Sequence, residues 1–149
     1  MVIAAVVEQF RDVAEMKNIH LVVSEGPPVT MRADEERLQQ LLTILLDNAL
    51  KFTDQGGRVE VYWTVVANAV HLTVSDDGIG VSEADLQKVF DRFFQANEAR
   101  SSGGAGLGLA IAKWIVEEHH GKIWAESRLH EGMTIRVILP FKSTNSSLG

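Results

Sequence analysis

The chain has 149 residues, 46% of them hydrophobic and 23% charged, the make-up of one globular domain, which excludes disordered and fibrous classes. Its net charge of −6, without a clustered Lys/Arg tract, argues against a broad nucleic-acid or anionic-membrane surface, so any phosphate must be held locally by few groups. The absence of cysteine removes disulfides, thiolate metal sites and a cysteine nucleophile, and it suits a reducing compartment, with the cytoplasm as the default.

The apolar start from Met1 to Val7 lacks a basic leader and is too short for a signal sequence before Glu8 and Arg11 intervene. No run approaches the roughly 20 apolar residues of a membrane helix, so no direct membrane contact is expected. Ile3, Val6, Val7, Phe10, Val13 and Ala14 recur at helical spacing and predict an amphipathic helix over residues 3–16. Ile19 to Val23 reads as a strand, Gly26-Pro27-Pro28 breaks the chain, and Val29 to Arg32 is a second extended piece that could pair with the first as a hairpin.

Asp34 is a good N-cap, Glu35 and Glu36 suit the positive end of the helix dipole, and Leu38, Leu41, Leu42, Leu45, Leu46 and Ala49 form a stripe, so a helix is predicted over 35–52. Val59, Val61, Trp63 and Val65 then alternate up to a turn at Ala67-Asn68, and the partner strand carries Val70, Leu72 and Val74 to a turn at Asp76. Residues 82–92 read as short helical pieces, and the Gly/Ser/Ala-rich stretch 95–106 as a loop. Leu107, Ala110, Ile111, Trp114 and Ile115 restore a helix that stops before Gly121, and strands at about 122–127 and 133–139 end at Pro140. The tail 143–149 is expected to be disordered. Interleaved helices and hairpin strands predict an α+β fold, a two-layer sandwich with helices on one face of a mixed sheet.

Three segments carry the chemistry. On the long helix Asn48, Lys51 and Phe52 share one face near the C-terminal end. Asn48 offers an amide oxygen suited to Mg²⁺, and Lys51 a cation that would balance phosphate charge; the same residues also read as an ordinary helix end. Asp76 precedes Gly78 and Gly80, which would let backbone come close to a flat ligand while the carboxylate accepts from an exocyclic amine such as that of adenine. Asp-Gly is equally a common turn dipeptide. Gly104, Gly106 and Gly108 lie just before and inside a helix start, where free N–H groups favour an anion, and close approach by phosphate or tight helix packing would explain Gly108. No Gly-Lys-Ser/Thr follows and no strand feeds the loop, which disfavours Walker and Rossmann sites.

The order of Leu41 to Thr53, Asp76 to Gly80, Val89-Phe90-Asp91-Arg92-Phe93-Phe94, Gly104 to Ile111, His120-Gly121 and Gly132 to Pro140 resembles the catalytic and ATP-binding domain of sensor histidine kinases, members of the GHKL ATPases. The resemblance covers roughly residues 19–141 and implies a Bergerat-type fold, bound ATP and Mg²⁺, and bacterial two-component signalling. By it, Asn48 would bind Mg²⁺, Lys51 the phosphates and Asp76 the adenine amine, with Phe52 lining the pocket. Gly78 and Gly80 would shape the adenine floor, while Gly104, Ala105, Gly106, Leu107 and Gly108 would form the hinge and phosphate edge of a lid anchored by Phe90 and Phe93. Arg92 stands where a phosphate-facing arginine is found, and Thr134 at a hydroxyl position lining the base. A strand threonine and an exposed arginine also need no such role.

Two positions depart from the family pattern. Ile44 stands where a second asparagine, or the catalytic glutamate of ATP-hydrolysing relatives, is common; it can neither ligate metal nor activate water. Ala105 replaces the threonine of Gly-Thr-Gly-Leu-Gly. None of the five histidines, His20, His71, His119, His120 and His130, lies in a phosphoacceptor-like context, so the acceptor is expected on another segment, before residue 1. The division expected is a helix over 1–18 near the join to that helical dimerisation and phosphoacceptor domain, an ATP-binding domain over 19–142, and the tail. The activity implied is transfer of the γ-phosphate to a histidine of that domain, with a response-regulator receiver domain as a further partner and no nucleic acid. The alternatives are a nucleotide-binding pseudokinase or sensor without phosphotransfer, favoured by Ile44 and Ala105, and an anti-sigma-type serine kinase of the same superfamily.

Overall fold

The computed structural model describes residues 2–24, 35–91 and 108–140. Along the chain run α1 (Val2–Gln9), α2 (Arg11–Met16), β1 (His20–Ser24), α3 (Glu35–Lys51), β2 (Arg58–Val66), β3 (Ala69–Asp76), α4 (Glu83–Leu86), α5 (Gly108–Glu118), β4 (Lys122–Arg128) and β5 (Gly132–Pro140). The strands form one sheet in the order β1-β2-β3-β5-β4. β1 pairs with β2 in parallel and the other pairs are antiparallel, so the sheet is mixed as expected.

Strand alternation divides the sheet into two faces. Val61 opposes Val74 and Trp63 opposes Leu72; these side chains, with Ile135 and Val137 of β5, are buried against the helices. The register sets Glu60, Tyr62, Thr73, Ser75, Thr134 and Arg136 on the opposite face, where Arg136 Nε lies 3.2 Å from Glu126 Oε2 of β4. The β2–β3 turn carries positive φ at both Ala67 (52°) and Asn68 (62°), the backbone twist that a two-residue hairpin requires.

The stripe on α3 behaves as its spacing predicts: Leu41, Leu42, Leu45, Leu46 and Ala49 are all buried, and Leu38 is half-buried. α5 packs on α3 and reaches β4 and β5, with Ile115 and Val116 buried. Among the described residues no helix is long and apolar enough to cross a membrane.

Two expectations about the N-terminal region change. The single helix over 3–16 is two helices meeting at Phe10, whose backbone (φ −96°, ψ −3°) leaves the regular helix, and whose side chain packs against the core. Nor does the core respect a boundary at residue 18: Val6 and Val7 are 1% exposed, Ala14 is 2% exposed, and α1 packs on α3. The apolar stripe of the helical pair finds its partner surface in that core. The expected strand at 29–32, the N-cap Asp34, the 95–106 loop and the 143–149 tail lie outside the described residues. β1 finds its partner in β2.

A chain truncated to begin at Ile19 should therefore lose cooperative unfolding in urea. Val7→Ala in the full chain should lower the unfolding free energy by about 1–3 kcal/mol. Full stability of the truncated chain would restore the boundary at residue 18.

Candidate functional site

The end of α3 and the end of β3 meet, and backbone groups make the junction. Phe52 N–H donates to Asn48 O at 3.2 Å and its own carbonyl accepts from Ile79 N at 3.2 Å, which ties the last helical turn to the Asp76–Gly80 turn. Lys17 Nζ donates to Leu50 O, and buried Thr53 donates through Oγ1 to Ala49 O at 2.7 Å, so two of the open carbonyls at this helix end have partners. Asn48, Lys51 and Phe52 are all half-buried here. Lys51 Nζ lies 3.8 Å from Asp47 Oδ2, an exposed i,i+4 pair of the kind worth about 0.3–0.5 kcal/mol, so its ammonium is readily exchanged to a stronger anion.

Asp76 ends β3 on the helix side of the sheet, opposite Met133 of β5. Its Oδ1 accepts from Gly78 N at 2.9 Å and from Met133 N at 3.3 Å. Both bonds converge on that one oxygen, which leaves Oδ2 without a hydrogen-bond donor among the described residues. Burial pushes the Asp76 carboxyl up to about 6 from an ordinary 3.8; the N–H bonds from Gly78 and Met133 pull it down, and the neighbouring charge of Asp77 adds to the rise. Asp77 has a different task, accepting from Arg58 N at 2.8 Å.

The two glycines of the turn make room for the protein's own backbone. A Cβ on Gly78 would stand 2.1 Å from Phe52 O, and one on Gly80 (φ +62°) would stand 2.2 Å from Arg128 O. Their missing side chains let the turn lie flush against α3 and the β4–β5 hairpin, a closer reason than approach to a flat ligand.

At the head of α5, Gly108 is exposed, and among the described residues a Cβ there would meet only Ile44 Cγ2, at an ordinary contact distance of 3.5 Å. Packing among the described residues therefore does not account for this glycine. This spacing sets the α5 N-terminus beside Ile44, one turn before Asn48, so Ile44, Asn48 and Phe52 mark a strip along α3 and its end, running from the head of α5 to the Asp76 turn. Eight residues of helix make that strip about 12 Å long. Phe90 is half-buried and packs against the core. Arg92, Phe93, Gly104, Ala105, Gly106 and Leu107 lie outside the described residues.

Thr134 does not join this group. Its Oγ1 is 2.8 Å from Ser75 Oγ, and both residues belong to the sheet face turned away from the helices. Alternate strand residues point to opposite faces, so the β5 residue beside Asp76 on the helix side is Met133, 9% exposed and part of the core. Met133 escapes a reading of sequence alone, because only the β3–β5 register reveals which of two adjacent residues faces the carboxylate.

Residues 33–143 match the family model of the histidine kinase-, DNA gyrase B-, and HSP90-like ATPases. The chain is 42% identical over 113 residues to the sensor histidine kinase WalK of Bacillus subtilis, an alignment covering 73% of this chain and 18% of that protein. The solved structure of a mycobacterial sensor histidine kinase, MprB, superposes with a TM-score of 0.81 at 30% identity, over 92% of this chain and 94% of that one. Full-length ShkA in complex with AMPPNP also gives 0.81 at 30% identity, over 94% of this chain and 29% of that one. The chain thus belongs to the histidine kinase-, DNA gyrase B- and HSP90-like ATPase family, and its α+β fold is that of histidine kinase catalytic domains. It spans less than a third of the length of WalK and of ShkA.

The raised carboxyl of Asp76 carries a stability signature. Between about pH 4 and 6 the folded chain binds this proton and the unfolded chain releases it, so the contribution is full below pH 4 and is lost as pH rises through 6. Asp76→Asn keeps an amide oxygen for the two N–H donors and removes the buried charge. Its melting temperature without ligand should exceed that of the parent at pH 7–8, with the gap closing toward pH 4. A gap that instead widens on acidification would contradict the raised titration.

Proposed function

We propose that this chain is the ATP-binding catalytic domain of a two-component sensor histidine kinase, presenting the γ-phosphate of ATP to a histidine on a separate helical dimerisation and phosphoacceptor domain. The observation that carries this reading is the strip of α3 between two unlike ends. At one end Asp76 Oδ2 is an open acceptor in a desolvated turn, suited to the exocyclic amine of adenine. At the other, Ile44 lies beside the N-terminus of an 11-residue helix, whose free N–H groups and dipole favour phosphate, and Asn48 stands midway between the ends with Lys51 a turn nearer Asp76. The distance between them is comparable with the length of a nucleoside triphosphate. Membership of an ATPase family, and the AMPPNP held by ShkA, support the same ligand.

In this reading Asp76 selects the base, the apolar edge of Phe52 lines the pocket, and Lys51 exchanges Asp47 for phosphate oxygens. Asn48 would hold Mg²⁺ through its amide oxygen. Ile44 adds no donor, and among the described residues no group of three His, Cys, Asp or Glu side chains could hold a metal ion, which suits a cation carried in by the nucleotide with water in most of its shell. Mg²⁺ so bound would neutralise charge on the phosphates. Gly104, Ala105, Gly106, Leu107 and Gly108 would close over the phosphates, and Arg92 would face them. Thr134 keeps its place in the pocket only as an indirect support, through Ser75 behind Asp76.

The work left to the protein is positioning and charge neutralisation. The acceptor imidazole is already a nucleophile, so no general base is needed at Ile44, whereas hydrolysis would need one. Further partners would be the receiver domain of a response regulator, and the domain would work in the cytoplasm. Its core would run from α1 to the end of β5.

Incubation with labelled ATP, Mg²⁺ and a purified acceptor domain should put label on histidine, stable in alkali and lost in acid. Nucleotide binding without transfer to any cognate acceptor would make the chain a pseudokinase or sensor, and acid-stable label would point to a serine kinase. Asp76→Asn should weaken ADP by roughly ten- to a hundredfold, as loss of a hydrogen bond to a charged group does. Asn48→Ala should flatten the Mg²⁺ dependence of ATP binding. ADP affinity of the parent chain should fall as pH drops below about 6, because a protonated Asp76 cannot accept through that oxygen. Unchanged affinity in both variants would remove the site from this part of the fold.

A further inference from the structure

Ser127, on β4, joins three pieces of backbone with one hydroxyl. Its Oγ accepts from Val81 N at 2.9 Å and donates to Gly132 O at 2.7 Å. A hydroxyl has one hydrogen, so an N–H donor on one side commits that hydrogen to the carbonyl on the other. Gly132 O and Met133 N–H belong to the same peptide unit, which is planar and trans, so the two groups point in opposite directions. Fixing the carbonyl toward Ser127 aims the N–H at Asp76 Oδ1, 3.3 Å away. The register agrees: Ser127 pairs with Met133 and Met133 with Asp76, three neighbours across β4, β5 and β3 on the helix side of the sheet.

The surroundings leave this peptide little freedom. A Cβ on Gly132 (φ +104°) would stand 2.1 Å from Asp76 O, and one on Gly80 would stand 2.8 Å from Gly132 O. His130 N–H donates to Ile79 O, a second tie between the hairpin and the Asp76–Val81 loop. At 3.3 Å the Met133 bond is the longest in the chain of donors and the one most sensitive to a rotation of its peptide.

We infer that Ser127 is a positioning residue for base recognition: through the Gly132–Met133 peptide it holds the Asp76 carboxylate in the orientation that presents Oδ2 to the nucleotide. This rests on the reading of Asp76 as the acceptor for the adenine amine. The charged groups on the surrounding elements are Asp77; Arg58 of β2, paired with Glu60; Lys51 of α3, paired with Asp47; and Arg128, His130 and Glu131 of the β4–β5 hairpin. Of these only Asp77 shifts the titration of Asp76, so the Met133 N–H is a main restraint on it besides Gly78.

The test compares ADP with inosine diphosphate, in which an oxo group replaces the adenine amine, by titration calorimetry from pH 5 to 8, with melting of the free proteins alongside. Ser127→Ala should weaken ADP about five- to thirtyfold, shrink the preference for ADP over inosine diphosphate by a similar factor, and move the acid limb of ADP binding to higher pH. Ser127→Thr, which keeps the hydroxyl, should restore all three. A Ser127→Ala chain that melts earlier yet keeps the parent's base preference and pH midpoint would overturn the inference. If Ser127→Ala does not fold, Ser127→Cys, a weak donor of similar shape, is judged by the same readouts. Asp76→Asn separates the two levels: loss of base preference there with none in the Ser127 variants defeats Ser127 alone, whereas no loss in Asp76→Asn defeats the reading of Asp76 and the inference with it.

Discussion

A carboxylate withdrawn from water needs fixed donors, and Asp76 finds them in the backbone, from Gly78 on its own turn and from Met133 on a strand 57 residues further along. Much of the site's architecture follows from satisfying that one group. For Gly78 N–H to reach Oδ1 the chain must turn sharply after β3, and the turn then abuts the end of α3, where Phe52 O accepts from Ile79 N. For Met133 N–H to reach the same oxygen, β5 must start beside Asp76, which brings the β4–β5 hairpin over the turn. Hydrogen bonds in such a chain polarise one another, so the carboxylate is held more firmly than its two direct bonds suggest.

The glycines gain a structural meaning from this arrangement. Gly78, Gly80 and Gly132 each stand where a Cβ would strike a backbone carbonyl within about 2 Å, and two of them carry positive φ. Their role is to let a helix end, a turn and a hairpin share one small volume. Gly108 differs, since packing among the described residues leaves room for a methyl there.

α3 does two jobs with one periodicity. Leu41, Leu42, Leu45, Leu46 and Ala49 build the core against the sheet, and Asn48 and Lys51 flank that stripe on the edge nearest α5. The buried stripe sets the helix rotation, and the rotation sets where Asn48 points. Ile44 belongs to this edge as well. It is packed against the core beside the head of α5, an apolar residue at the margin of the candidate site.

The elements were largely legible in the sequence, because helical and strand periodicities are local and the apolar residues of α3, β2, β3 and α5 obey them. The residues of the candidate site, Asn48, Asp76 and the glycines, could likewise be picked out by type and order in the sequence. What periodicity could not decide was register and face. Thr134 and Met133 are adjacent, and only the pairing of β3 with β5 determines that Met133 accompanies Asp76 while Thr134 joins Ser75 on the other side. The membership of α1 in the core and the relay through Ser127 are likewise products of packing between segments far apart in the chain. Local chemistry is written residue by residue in the sequence, whereas the direction each group faces is settled only when distant segments close around a common core.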